Sequence, residues 1–249
     1  MDYTNVLTSL LRMYRRQMDS DREVARFYAK CRDGTATYTD VYALADKAGV
    51  KMSDLLKKQI LETFPNGVPP EAVDAILPPM LREQCETVLV GADRVQTIAN
   101  TKAGVRLKPV DMVPDEERIL GLTEHFKESG FTDEAAGLIT NLSRSAVDES
   151  IRANAEFQND SGMKVTVTRT YDDVGLNDGK TPCQWCLARC GEDVPYSEAF
   201  SRGMFERHEG CGCIIDIKSA KGSKRQTDWT RNKWEDSPEV LNRRKTIGL

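Results

Sequence analysis

Val165-Thr166-Val167-Thr168-Arg169-Thr170-Tyr171 is the stretch at which the chain changes character. Val165, Val167, Arg169 and Tyr171 fall on one side of an extended backbone and the three threonines on the other. That two-residue period, carried largely by β-branched residues, is the signature of a half-buried strand. A second β-like run, Ile214, Ile215 and Ile217, follows the last cysteine. Five of the seven cysteines, Cys183, Cys186, Cys190, Cys211 and Cys213, lie between these two strands. Before Val165 the period is helical. The predicted fold is therefore mainly α, with a small α+β C-terminal domain in which short strands bracket a Cys/His knuckle.

Working back towards the N-terminus, Val6, Leu7, Leu10, Leu11, Tyr14 and Met18 recur at helical spacing and form one amphipathic face. A second helical pattern, Val24, Phe27 and Tyr28, stops near Asp33-Gly34. Thr37 to Asp40 then supply helix-start residues for Val41 to Lys47. Ala48-Gly49 reads as a break, and Leu55, Leu56, Ile60 and Leu61 continue to a turn at Pro65-Asn66-Gly67. Pro69-Pro70-Glu71 opens another helix, interrupted around Pro78-Pro79, that runs on through Leu81, Cys85, Val88, Val90, Val95 and Ile98. Asn100 to Met112 lacks helical periodicity, and Lys108-Pro109 favours an extended hinge there. Pro114-Asp115-Glu116-Glu117 suits a first helical turn, continued by Ile119, Leu120, Leu122 and Phe126 up to Gly130. Thr132 caps a long helix with a stripe of Ala135, Leu138, Ile139, Leu142, Ala146, Ala153 and Phe157. Residues 1–160 are thus expected to be helical without a sheet. The expected organisation is a helical region at 1–112, helices plus the knuckle at 113–218 with its core at 163–218, and a basic tail at 219–249.

The 249 residues are 39% hydrophobic and 30% charged, ordinary for a globular protein. No apolar run approaches the roughly 20 residues of a membrane span, and the first residues place their basic group after the apolar stretch, so neither a span nor a signal peptide is expected. The net charge of −4 hides an asymmetry. Lys218 to Leu249 carry nine Lys or Arg against four Asp or Glu, which makes the tail +5 and the remainder −9. Such a tail can track phosphates, as in DNA, or an acidic protein surface, or it can simply be solvated. Trp229 and Trp234 within it can dock elsewhere on the fold.

The cysteine cluster carries the chemistry. Cys183-Gln184-Trp185-Cys186 turns two sulfurs inward together, and His208-Glu209-Gly210-Cys211-Gly212-Cys213 adds an imidazole and two more. Zinc prefers four S or N ligands in a tetrahedron, and the candidate metal ligands Cys183, Cys186, His208, Cys211 and Cys213 supply a surplus. The expected set is Cys183, Cys186, His208 and one of Cys211 or Cys213, spacing alone leaving open which. Gly210 and Gly212 relieve the tight backbone around Cys211. Val165 to Ile217 contain few large apolar residues, so their fold is expected to depend on the metal. Disulfides among the same cysteines are the alternative. Catalysis is the third reading: Pro182-Cys183-x-x-Cys186 matches half of the zinc-deaminase signature, but the upstream His-x-Glu half is missing. His125-Phe126-Lys127-Glu128 has one residue too many. A zinc nuclease lacks a spare base, because His125 and His208 are the only histidines. No enzyme activity is expected. Cys31 and Cys85 read as small core residues.

At these residues the chain resembles the Mu F-like minor head proteins of tailed bacteriophages, also called phage head morphogenesis proteins. The resemblance rests on Asn154-Ala155-Glu156-Phe157, Val167-Thr168-Arg169-Thr170, Cys183-Gln184-Trp185-Cys186, Phe205-Glu206-Arg207-His208 and Cys211-Gly212-Cys213, with Lys224-Arg225-Gln226 and Trp229 also similar. It covers about the last third to half of the chain; the first hundred residues share only helicity. It implies a structural protein of the virion head, present in few copies, made in the host bacterial cytoplasm and bound to the portal or major capsid protein at the inner capsid surface. Cys190 and the acidic Glu192-Asp193 depart from the pattern. The alternative function is a zinc-stabilised adaptor that binds protein or nucleic acid outside a virion.

Overall fold

The computed structural model describes residues 3–65, 67–131, 135–171, 184–208 and 210–220. Cys183, Glu209, the expected cap Thr132 and the tail from Lys221 onward lie outside them. The fold is mainly helical with a small three-stranded antiparallel sheet near its C-terminal end. Six helices come first: α1 (Thr4–Asp19), α2 (Arg22–Arg32), α3 (Tyr38–Thr63), α4 (Pro70–Lys102), α5 (Glu116–Ser129) and α6 (Ala135–Asp160). Strand β1 (Lys164–Thr170) follows, then α7 (Gln184–Arg189), β2 (Gly191–Pro195), α8 (Tyr196–Ser201) and β3 (Ile214–Ala220). Among the described residues no strand precedes Lys164, as the helical periodicity requires.

Helix starts follow local chemistry. The Asp21 carboxylate accepts from the backbone N–H groups of Glu23 and Val24 at 2.8 and 3.3 Å, capping α2. Thr37 and Asp40 form a reciprocal capping box for α3. Asp115 caps α5, so Pro114 lies just before the helix and not in its first turn.

Two apparent helix breaks are absent. α3 runs straight through Ala48-Gly49. A Cβ at Gly49 would lie 2.5 Å from Thr140 Cα and 2.6 Å from its Oγ1, so the glycine lets α3 and α6 approach closely. α4 likewise continues through Pro78 and Pro79. Proline in a helix interior costs about 3 kcal/mol. Ile76, Leu77, Met80 and Leu81 flank the pair, all 1% exposed or less, and their burial outweighs that local penalty.

One hydrophobic core runs from Leu10 in α1 to Ile217 in β3. α3 and α6 pack most extensively at its centre, with α4 against both. The Arg144 guanidinium, 4% exposed, donates to both Asp46 oxygens at 2.5 and 2.6 Å and ties α6 to α3. The extended segment after α4 is fastened by buried amides. Asn100 Nδ2 donates to Leu107 O at 2.9 Å, and Asn154 Oδ1 accepts from Val110 N at 2.9 Å.

The sheet has the order β2-β1-β3, both pairings antiparallel. Val167 faces Ile217 across one pair and Val194 across the other. Val165, Val167 and Arg169 point inward, as their alternation predicts. The register against β2 shifts between Val167 and Arg169. Asp193, in that same short edge strand, adopts φ 51°. Val165, Val167, Ile215 and Ile217 join the main core, so the sheet rests on α3 and α6 as well as on the cysteine cluster. That reduces the region's expected dependence on metal: the segments seated mainly on the cluster are α7 and the loop before β3.

Candidate metal centre

Cys186 lies on the short helix α7, and Cys211 and Cys213 sit on either side of Gly212 in the loop that enters β3. Gly210, at φ +69°, supplies the left-handed turn that folds this loop back, with Cys211 N donating to His208 O at 3.2 Å. The loop thereby brings Cys211 and Cys213 under α7. The three thiols are buried, and one ligand atom from each lies within 4.8 Å of the others. Cys186 and Cys211 Sγ are 3.7 Å apart. A tetrahedral zinc with Zn–S bonds near 2.3 Å requires S···S edges of about 3.8 Å, so this spacing fits the ion. A disulfide needs about 2.05 Å, and no described cysteine is joined to another by one.

His208 Nε2 lies 2.9 Å from Cys186 Sγ, and its ring stands edge-on to Trp185 with centroids 5.1 Å apart. Of the five residues singled out by spacing, four therefore gather at this place, and Cys183 lies outside the described residues. The sequence offered Cys211 and Cys213 as alternatives; the fold brings both into the buried triad. Cys190 is partly buried and packs against the triad.

Two buried arginines surround the sulfurs. Arg169, on the inward face of β1 and 2% exposed, donates from Nη1 to the Met204 and Glu206 carbonyls at 2.8 and 2.5 Å. Its Nη2 donates to Cys211 Sγ at 3.4 Å. The Arg207 side chain, also 2% exposed, donates to the carbonyl oxygens of Cys211 and, at 2.9 Å, Cys213. Its other face donates to Asp148 of α6 at 2.6 and 2.9 Å. Tyr42 of α3 completes this bridge: its hydroxyl donates to Asp148 Oδ1 at 2.5 Å and accepts from Ile215 N at 3.3 Å. Burial and the Asp148 charge keep that phenol protonated. Helices α3 and α6 thus hold the cysteine loop by its backbone.

The electrostatics favour one thiolate in the Cys211–Cys213 pair. A hydrogen bond from Cys213, together with Arg207 and Arg169, lowers Cys211 to about 4 against the cost of burial. Cys213, donating that bond inside the fold, is shifted upward. A metal can replace the shared proton and hold both sulfurs as thiolates, with the arginines offsetting the surplus negative charge. Arg189 stacks on Trp185 at 3.7 Å and pairs with Glu206 at 3.2 Å, closing the outer side.

The sequence did not identify Arg169, Arg207, Asp148 and Tyr42 as part of this centre. One signal was present: the strand alternation places Arg169 on an apolar face, where a guanidinium must find acceptors. No protein-family model, curated protein or solved structure matches this chain.

Proposed function

We propose that this protein is a structural minor head protein of a tailed phage, without turnover, that binds the portal or major capsid protein at the inner head surface. A single zinc ion staples its C-terminal region, held by four of Cys183, Cys186, His208, Cys211 and Cys213 with the three buried thiols among them. The observation that carries the metal reading is the sealed triad with guanidinium and carbonyl anchors on both sides. Such a centre suits a closed structural site, where every coordination position is taken by protein. The nearby Glu206 carboxylate is engaged by Arg189, which favours a structural over a hydrolytic role. The head assignment draws on the Mu F-like pattern of Cys-x-x-Cys, Phe-Glu-Arg-His and Cys-x-Cys running into the last strand. Each of those three motifs supplies residues to the centre: Cys186 from the first, Arg207 and His208 from the second, Cys211 and Cys213 from the third.

The test is co-expression with portal and capsid proteins followed by particle purification and chemical cross-linking. The chain should sediment with heads and cross-link to portal or capsid. A chain that remains free and binds nucleic acid with a steep salt dependence would instead be an adaptor.

A further inference from the structure

Two adjoining depressions, sharing Leu89 and Met112, form a groove between α4, α6 and the extended segment before α5. Leu89 and Leu142 line its floor, while Val90 and Val113 stand 49% and 78% exposed along it. Glu86, Asp93 and Asp111 line the same groove, and none of the three has an ion-pair partner among the described residues. The basic side chains there are engaged: Arg94 lies over the Tyr28 ring at 5.0 Å and Arg118 pairs with Asp115 at 3.1 Å. An apolar floor beside carboxylates that outnumber the cations lining the groove fits a cationic segment with bulky apolar side chains.

This chain contains such a segment. Lys221, Lys224, Arg225, Arg231 and Lys233 are interleaved with Trp229 and Trp234. The end of β3 also lies close to the groove. Ser219 Oγ donates to Gln158 of α6, and two turns along that helix Ser150 lines the groove. Eight helical residues correspond to about 12 Å, and an extended chain covers about 3.3 Å per residue. Lys224 and Arg225 can therefore reach Asp111, and Trp229 can reach Val113.

We propose that residues 221–249 dock in this groove of their own chain, setting lysines and arginines against Glu86, Asp93 and Asp111 and tryptophan against Val90 and Val113. The occupancy is independent of the phage-head reading. The experiment treats the full-length protein at low concentration with a water-soluble carbodiimide, which joins lysines to carboxylates in contact, and maps the linked peptides. Links from Lys221, Lys224 or Lys233 to Glu86, Asp93 or Asp111 are expected in the monomer fraction. They should be lost in 1 M salt, where the screening length falls to about 3 Å, and in V90R/V113R, which replaces the apolar contacts with like charge at exposed sites and leaves the circular dichroism unchanged. Links found solely in dimers would make a second copy the occupant and overturn the proposal. So would links to other carboxylates alone, or links that survive V90R/V113R.

Discussion

Asp148→Ala is the sharpest perturbation of the bridge between the helices and the cysteine loop. The Asp148 and Arg207 side chains are 5% and 2% exposed, so removing the carboxylate leaves a guanidinium buried with only the Cys211 and Cys213 carbonyls. Tyr42 loses its acceptor in the same step. Breaking a buried pair from one side costs about 3–5 kcal/mol, which at about 2–4 °C per kcal/mol for a chain of this size lowers the melting temperature by roughly 6–20 °C. Arg207→Met removes the orphaned charge, so the double variant D148A/R207M should be less destabilised than the sum of the singles, by about 1–3 kcal/mol. Urea unfolding of the four proteins supplies the cycle. A cost for Asp148→Ala below about 1 kcal/mol, or strict additivity, would refute the view that this pair anchors the loop.

Gly49→Ala should destabilise by about 1–3 kcal/mol, because its Cβ meets the Thr140 backbone; Gly121→Ala, which meets nothing within 4 Å, should stabilise α5 by about 0.5–1 kcal/mol. Thermal denaturation of the pair checks both signs. Chelation should raise amide exchange in α7 and the Cys211–Cys213 loop while α3, α4 and α6 stay protected; equal exposure of the whole chain would contradict the division of support seen in the core. The hydrogen bond from Lys51 lowers Asp21 to about 2, helped by the two capping amides. A carboxylate depressed on folding contributes stability above its unfolded value near 4, and that contribution is lost as pH falls through about 2. Asp21→Asn should therefore cost more at pH 7 than at pH 2, as measured by unfolding across that range, and an equal cost at both would refute the assignment.

The amphipathic stripes made α1 to α6 legible, but not the six-residue helices α7 and α8, too short to show a period; alternation from Val165 to Tyr171 made β1 legible, down to the inward placement of Arg169. Gly49 and Pro78-Pro79 misled because local backbone preference, a few kcal/mol at most, yields to burial at the junctions of α3, α4 and α6. β2 was hidden for a related reason: Gly191-Glu192-Asp193-Val194-Pro195 has weak strand preference and becomes a strand by pairing with β1. At the site, cysteine and histidine spacing pointed to the residues that converge. Tyr42 and Asp148 could not be found that way, since they reach the cysteine loop from helices distant in sequence, and no local period encodes such a contact.

The most direct test of the central claim is zinc analysis with zinc-edge X-ray absorption on freshly purified full-length protein. One zinc per chain, with at least three sulfur neighbours at about 2.3 Å, is the expected result. Protein without metal, whose cysteines instead show sulfur–sulfur bonds near 2.05 Å, would contradict it.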